Sequence, residues 1–281
     1  MKKNKKTIIR ADEMGFCLGV RRAVGTLEEA VNFEDSEVYT LGPIIHNPRV
    51  INDFAVRGVK TVESPEDVPS DCRVIIRAHG IPPQTREALN RRGSLVMDGT
   101  CPKVIASQKT VRKYSSLGYH TVIVGDPDHG EIKGLAGFAD NPIVISDPEE
   151  AGNLSLKGPV MVISQTTIKQ DEYDRVCHVL KEKCADLKIV ESICSATSKR
   201  QEALKELCTR VDACLIIGGK DSANTQRLYK TAQDTGIPCW YIQDASEIPQ
   251  EAAGYDIIGL SAGASTPDSL IGEVEERLRS M

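Results

Sequence analysis

The sequence predicts an α/β protein built from three similar modules with largely parallel sheets. Two observations carry this. Short β-branched runs alternate with amphipathic segments along the whole chain, the pattern of buried parallel strands joined by helices. A set of features also recurs three times, about 90 residues apart, as in a repeat architecture. Cys17, Cys101 and Cys194 each follow a strand-like stretch and precede a helix, in EMGFCLGVRRAV, MDGTCPKVIASQ and VESICSATSKRQ. Each is followed 24 or 25 residues later by a glycine that ends an apolar strand, at Gly42, Gly125 and Gly218. A polar residue then follows, at His46, His129 and Asn224, and after another strand comes a second polar loop. Those second loops are RAHGIPP around His79, SQTT at 164–167 and SAGAST at 261–266.

The elements follow in order. TIIRA (7–11), VIIRA (74–78), SLVM (94–97), TVIVG (121–125), PVMVIS (159–164), ACLIIGG (213–219) and DIIGLS (256–261) read as strands. Segments 20–31, 83–92, 103–117, 168–184, 198–210, 223–234 and 267–279 carry apolar residues at helical spacing. The expected modules are 14–98 with Cys17, 99–191 with Cys101 and 192–281 with Cys194, and strand 1–13 is associated with them. Packed around a pseudo-threefold axis, such modules would face their loops to one centre, because ligands gather at the carboxyl ends of parallel strands.

Composition narrows the function. The chain has 281 residues, 40% of them hydrophobic and 27% charged, with a net charge of −5, which suits a globular protein with a sizeable core. No uncharged apolar run is long enough to span a bilayer. The start carries Lys2, Lys3, Lys5 and Lys6 but no apolar stretch, so it reads as a solvated lead-in rather than an export signal. Acidic balance with only 4% aromatics argues against nucleic-acid binding. The expected compartment is the cytoplasm, where nine cysteines are core residues, metal ligands or redox groups rather than a disulfide framework.

Three cysteines in register, without paired C-x-x-C spacing, do not suit a structural zinc, which takes four ligands. They suit a [4Fe–4S] cluster held by three thiolates, whose fourth iron is open to substrate. Cys72, Cys177, Cys184, Cys208, Cys214 and Cys239 lie in or beside apolar strands and helices and read as core or incidental.

The polar loops point to an anion. His46, His79 and His129 each follow a strand and together form a candidate site, whereas His120 and His178 do not join it. Ser222, Asn224 and Ser265 stand at helix starts. There they can act as caps, and the same helix ends can bind phosphate. Neither common nucleotide loop is present. Glu131, in GDPDHGEIKG, can complement a helix dipole or donate a proton, with Asp126 and Asp128 as neighbouring competitors.

The ordered motifs GFCLGVRRA, GPIIHNP, RAHG, DGTCPKV, HGEIKG, SQTT, CSATSKRQ, GGKDSANTQRL and SAGASTPD span nearly the whole chain. The sequence resembles the LytB/IspH family of 4-hydroxy-3-methylbut-2-enyl diphosphate reductases. The resemblance implies that Cys17, Cys101 and Cys194 hold the cluster. It implies that His46, His79, Ser222, Asn224 and Ser265 bind a diphosphate, with His129 near the substrate hydroxyl and diphosphate. Glu131 would be the proton donor, and Thr166 would relay the proton or orient substrate. The implied reaction is reductive dehydroxylation of an allylic diphosphate alcohol to isopentenyl and dimethylallyl diphosphate, the last step of the methylerythritol phosphate route. Its electrons would come from a carrier such as ferredoxin or flavodoxin. Ala223 stands where the family often has a second serine, Gly99 where alanine is common, and Ser164 where threonine is common; only the first bears on a diphosphate contact. The chain ends soon after the last helix, so no fused RNA-binding extension is expected. The competing readings are a non-redox hydratase or dehydratase of the aconitase type and a non-catalytic iron–sulfur sensor.

Overall fold

Strand and helix alternate from end to end in the computed structural model, which describes residues 6–33 and 37–281; Lys2, Lys3 and Lys5 lie outside them. Three four-stranded sheets, all parallel in their described pairings, form the framework. By packing, the chain divides into two compact units: residues 1–20, 46–52 and 195–281, and residues 21–45 and 53–194.

The first unit holds one sheet. Its strands are β1 (Thr7–Arg10), β10 (Ala213–Ile217), β11 (Cys239–Ile242) and β12 (Ile257–Ala262), in the order β1-β12-β10-β11. β10 is buried at every position, as an inner parallel strand covered on both faces must be. α10 (Asp268–Ser280) covers the sheet with Leu270, Ile271, Val274 and Leu278, an i, i+1, i+4, i+8 apolar stripe. α8 (Ser195–Cys208) and α9 (Ala223–Gln233) bury Leu204, Leu207, Leu228 and Ala232 in a second core cluster with Cys214 and Ile216. β1 is set by its pairing to β12, Thr7 opposite Ile257 through Arg10 opposite Leu260.

The second unit holds two sheets. One has the order β3-β2-β4-β5, from β2 (Val38–Leu41), β3 (Lys60–Val62), β4 (Arg73–Ile76) and β5 (Leu95–Asp98). The other has the order β7-β6-β8-β9, from β6 (His120–Val124), β7 (Ile143–Ile145), β8 (Val160–Ser164) and β9 (Leu187–Ile189). α3 (Pro83–Arg91), α4 (Pro102–Ser116), α5 (Gly130–Ala136), α6 (Pro148–Asn153) and α7 (Gln170–Lys183) connect them, while α1 (Leu18–Val31) and α2 (Pro48–Val56) run across the division of the chain. β8 is buried throughout, and Tyr173 of α7 anchors its helix by donating its hydroxyl to the carbonyls of Val162 (2.9 Å) and Val190 (3.0 Å).

The predicted strands and helices fall within a few residues of these bounds. α8 begins at Ser195 rather than 198, so it starts directly after Cys194. β3, β7 and β9 carry too few residues for a period to show, and α2 and α6 are short helices opened by proline, which presets φ but leaves no longer pattern to read.

Candidate functional site

Every predicted site residue lies just past the carboxyl end of a strand or at a helix start, where loop backbone groups are free to meet a ligand.

In the first unit, the β10–α9 and β12–α10 loops are stitched together. Gly263 N and Thr266 Oγ1 both donate to Ile217 O, at 2.9 Å each. Ser222 caps α9, its hydroxyl accepting from Thr225 N at 3.3 Å. Ser265 donates to His46 O at 3.1 Å and lies 3.4 Å from the Ser222 hydroxyl. Ser222, Ser265 and His46 therefore form one polar group. Asn224 is 5% exposed, and its buried amide nitrogen has no hydrogen-bond partner among the described residues. An unsatisfied buried donor costs about 1–3 kcal/mol, so such a group belongs opposite an acceptor that arrives with a ligand. Ala223 is the first residue of α9, and the leading N–H groups of a helix have no intrahelical partner. Ala223 thus offers no side-chain donor but keeps its backbone one. Gly219 lets the loop approach the His46 segment closely: a Cβ there would stand 2.5 Å from His46 O. Cys17 precedes α1, follows Gly15 at φ +73°, donates its N–H to Ala264 O at 3.1 Å and receives Val20 N on its Sγ at 3.4 Å.

In the second unit, Glu131 is the centre of a buried polar group. It is 3% exposed, in the first turn of α5. One carboxylate oxygen accepts from Thr166 N at 2.7 Å and the other from Thr166 Oγ1 at 2.8 Å. His129 caps the same helix, its Nδ1 accepting from Glu131 N at 3.1 Å. In the neutral ring that bond assigns the proton to Nε2. The His79 ring meets the His129 ring edge-on, centroids 5.0 Å apart. Thr166 O in turn accepts from Cys194 N at 2.9 Å, so the loop bearing Cys194 is tied to the Glu131–Thr166 pair. Cys101 caps α4, its N–H donating to Ala78 O at 3.0 Å, one residue from His79. Asp126 shapes its turn by accepting Asp128 N at 2.9 Å, and Asp128 pairs with Lys133. Among the described contacts, neither Asp126 nor Asp128 shares Glu131's pairing with Thr166.

Some residues at the site carried no signal in the sequence reading. Gln165 accepts Asp126 N at 3.2 Å and donates to Thr167 Oγ1 at 3.1 Å, bracing the loop before His129. Arg77 lies against Gly42 and Gly130, where a Cβ would stand 2.5 and 2.6 Å from its guanidinium. Burial pushes its pKa down, although Glu63 opposes the shift. Both sit within SQTT and RAHG, beside the residues singled out. Gly99 is tightly placed: a Cβ there would stand 2.6 Å from Ile76 O, so an alanine would require the backbone to shift.

Taken one by one, three cysteines have the chemistry of iron–sulfur ligands. Cys17, Cys101 and Cys194 are in no disulfide, are partly exposed and are each placed at a helix start, where the leading N–H groups complement a thiolate ligand. The others are unsuited. Cys72, Cys177, Cys208 and Cys214 are buried. Burial pushes the thiols of Cys72, Cys184 and Cys239 up, and that of Cys177 up to about 11, which favours the protonated form.

The LytB protein family profile matches residues 8–279. A 4-hydroxy-3-methylbut-2-enyl diphosphate reductase of Treponema denticola is 45% identical, covering 96% of this chain and 98% of that one. Its counterpart in Caldanaerobacter subterraneus is 41% identical, covering 98% and 97%. Among solved structures, an E-1-hydroxy-2-methyl-but-2-enyl-4-diphosphate reductase of Plasmodium falciparum superposes with a TM-score of 0.90 at 27% identity, covering 97% of this chain and 86% of that one. An (E)-4-hydroxy-3-methyl-but-2-enyl diphosphate reductase described as the terminal enzyme of the non-mevalonate pathway matches at 0.75 and 38% identity, covering 98% and 100%.

Proposed function

The chain belongs to the LytB family, and on that premise we propose that its residues reduce (E)-4-hydroxy-3-methylbut-2-enyl diphosphate to isopentenyl and dimethylallyl diphosphate, closing the methylerythritol phosphate route. The overall change takes two electrons and two protons, breaks the allylic C–O bond and releases water.

Family membership brings an iron–sulfur cofactor, and we assign it as one [4Fe–4S] cluster on Cys17, Cys101 and Cys194. When bound, the cluster supplies the electrons and a Lewis-acidic iron that weakens the C–O bond. The functional modules are taken as 14–98, 99–191 and 192–281, with the strand at 1–13 beside them.

The remaining roles fall to side chains. His46, Ser222, Asn224 and Ser265 hold the diphosphate, the Asn224 amide filling its open donor position. His79 and His129 add ring donors, His129 through Nε2. Glu131 holds a proton within 2.8 Å of Thr166 Oγ1, and the pair delivers it to the departing hydroxyl so that water leaves. Enclosure of the acid in a buried pocket keeps bulk water from competing for that proton. Electrons come from ferredoxin or flavodoxin. No described helix is long and apolar enough to cross a membrane, and the cytoplasm is the compartment we assign.

The observation that carries this reading is the buried Glu131–Thr166 pair bonded onward to Cys194. Anaerobic purification with iron counting, followed by turnover of the allylic alcohol under reductant, tests it. Iron at about four per chain and reductant-dependent products are expected. Iron-free protein, or water addition or loss without reductant, overturns it.

A further inference from the structure

On the reductase reading, electrons arrive from a separate protein, and we propose that a basic concave face next to Cys101 is where a small acidic one-electron carrier docks. The face belongs wholly to the second unit. A cavity of about 410 Å³ opens there, lined by Arg86, Glu87, Asp98, Thr100, Lys109 and Arg112 among others.

Its charge is unusual for this chain. The net charge of the protein is −5, yet α4 carries Lys103, Lys109, Arg112 and Lys113 and no acidic residue in 15 positions. Lys109, Arg112 and Lys113 are exposed and lie one helical turn apart, on one face. None of the three forms an ion pair among the described residues. Arg112 is held over the Phe138 ring at 4.9 Å, which fixes a cation at the rim. Of the two acids lining the cavity, Asp98 is taken up by an ion pair with Arg86, and Arg22 also reaches the Asp98 carbonyl at 3.4 Å. Glu87 is the other. The Gln108 amide nitrogen lies buried at the cavity without a hydrogen-bond partner among the described residues, a further donor for an incoming carboxylate.

Position and extent select the partner. Thr100 lines the cavity and immediately precedes Cys101, so a protein seated there lies one residue from a proposed cluster ligand. The positive face continues past the cavity to Lys113, wider than a single small anion covers. Electron-transfer encounters are small and steered by complementary charge rather than by large apolar contact. Each encounter would leave the carrier oxidised by one electron, and two encounters with two protons complete one turnover to product and water.

The test uses the cluster-loaded full chain, as wild type and as Lys109→Glu with Arg112→Glu. Turnover is measured with reduced methyl viologen, with reduced ferredoxin and with reduced flavodoxin, and binding of each carrier is titrated directly. Methyl viologen turnover should be unchanged. For the carrier that supports turnover, kcat/KM and affinity should fall at least about tenfold at low salt. The gap should close towards 1 M salt, where the screening length is about 3 Å. Should the double variant lose methyl viologen turnover, Lys113→Glu, outside the cavity, is read with the same expectation at smaller amplitude. Equal carrier kinetics and affinity in wild type and variant overturn the proposal. So does wild type that turns over with methyl viologen but with neither carrier. Wild type inactive with methyl viologen instead counts against the reductase reading itself.

Discussion

Glu131 and Thr166 bond twice, carboxylate to backbone N–H at 2.7 Å and to hydroxyl at 2.8 Å, so a single residue orients both oxygens of the buried acid. An amide can keep both contacts, its oxygen accepting from the Thr166 N–H and its nitrogen donating to the Thr166 hydroxyl, but it has no acidic proton to give up. Glu131→Gln should lower kcat by about 10²–10⁴-fold, the usual contribution of a positioned acid, with iron content unchanged. Thr166→Val, which removes only the hydroxyl, should lose less, and Thr166→Ser should restore most of the rate. Near-normal turnover by cluster-loaded Glu131→Gln would remove the acid from the mechanism.

Iron content separates the cysteines. Cys17→Ser, Cys101→Ser and Cys194→Ser should each lose iron and the brown colour, because each thiolate sits at a helix start and has no substitute nearby in its own loop. Cys72→Ser, at a buried position just before β4, and Cys214→Ser, within β10, should keep both, with lowered stability. Equal iron loss in all five is the outcome that contradicts the ligand assignment.

Substrate affinity should respond to Gly219. An added methyl meets His46 O at 2.5 Å, a backbone atom that cannot swing aside. Gly219→Ala should therefore displace the His46 segment and raise KM about tenfold, roughly 1.4 kcal/mol, with kcat little changed. Gly152→Ala, where nothing lies within 4 Å, serves as the silent control. A KM for Gly219→Ala that equals the control would show that this close approach does not hold His46.

Alkaline pH should weaken the fold through Cys177. Burial pushes its thiol from 9.0 up to about 11, and burial also raises the adjacent Tyr173 phenol. The unfolded chain loses the thiol proton first, so the folded state holds more protons between the two values, and stability falls as pH rises from about 9 to about 11. Below 9 the contribution is fully present. Urea midpoints measured at pH 8 and pH 10.5 should drop in the wild type and drop less in Cys177→Val. Parallel drops would assign the loss to other groups.

Much of this was legible in the sequence. The inner strands β8, β10 and β12 are long apolar runs, and the recurrence of cysteine, glycine and polar loop exposed the modular plan. The edge strands β3, β7 and β9 were not legible, because three residues carry no period and their place is set by pairing with a neighbour. At the site, residue types at loop positions pointed to Glu131, the histidines and the cysteines as candidates. What the sequence could not show is which polar groups meet. That Thr166 takes both Glu131 oxygens, that Gln165 braces the Asp126 turn and that Arg77 lies against two glycines are consequences of packing across strands far apart in the chain.

The place of β1 has a consequence for how the polypeptide is threaded. In two sheets the strand next to the third one, β5 beside β4 and β9 beside β8, runs on to Cys101 and Cys194. In the remaining sheet that place beside β12 is taken by β1, which runs on to Cys17. Written in the same sense, all three sheets have one order, and α10 stands to β1 as α3 stands to β5 and α7 to β9. The order of strands and connections is thus cyclic, interrupted between α10 and β1. Ile8 and Met281 already pack on one core cluster, so a short linker can close that gap. A circular permutant reopened between Lys183 and Leu187, the corresponding gap, keeps every sheet pairing while moving both ends of the chain to another module.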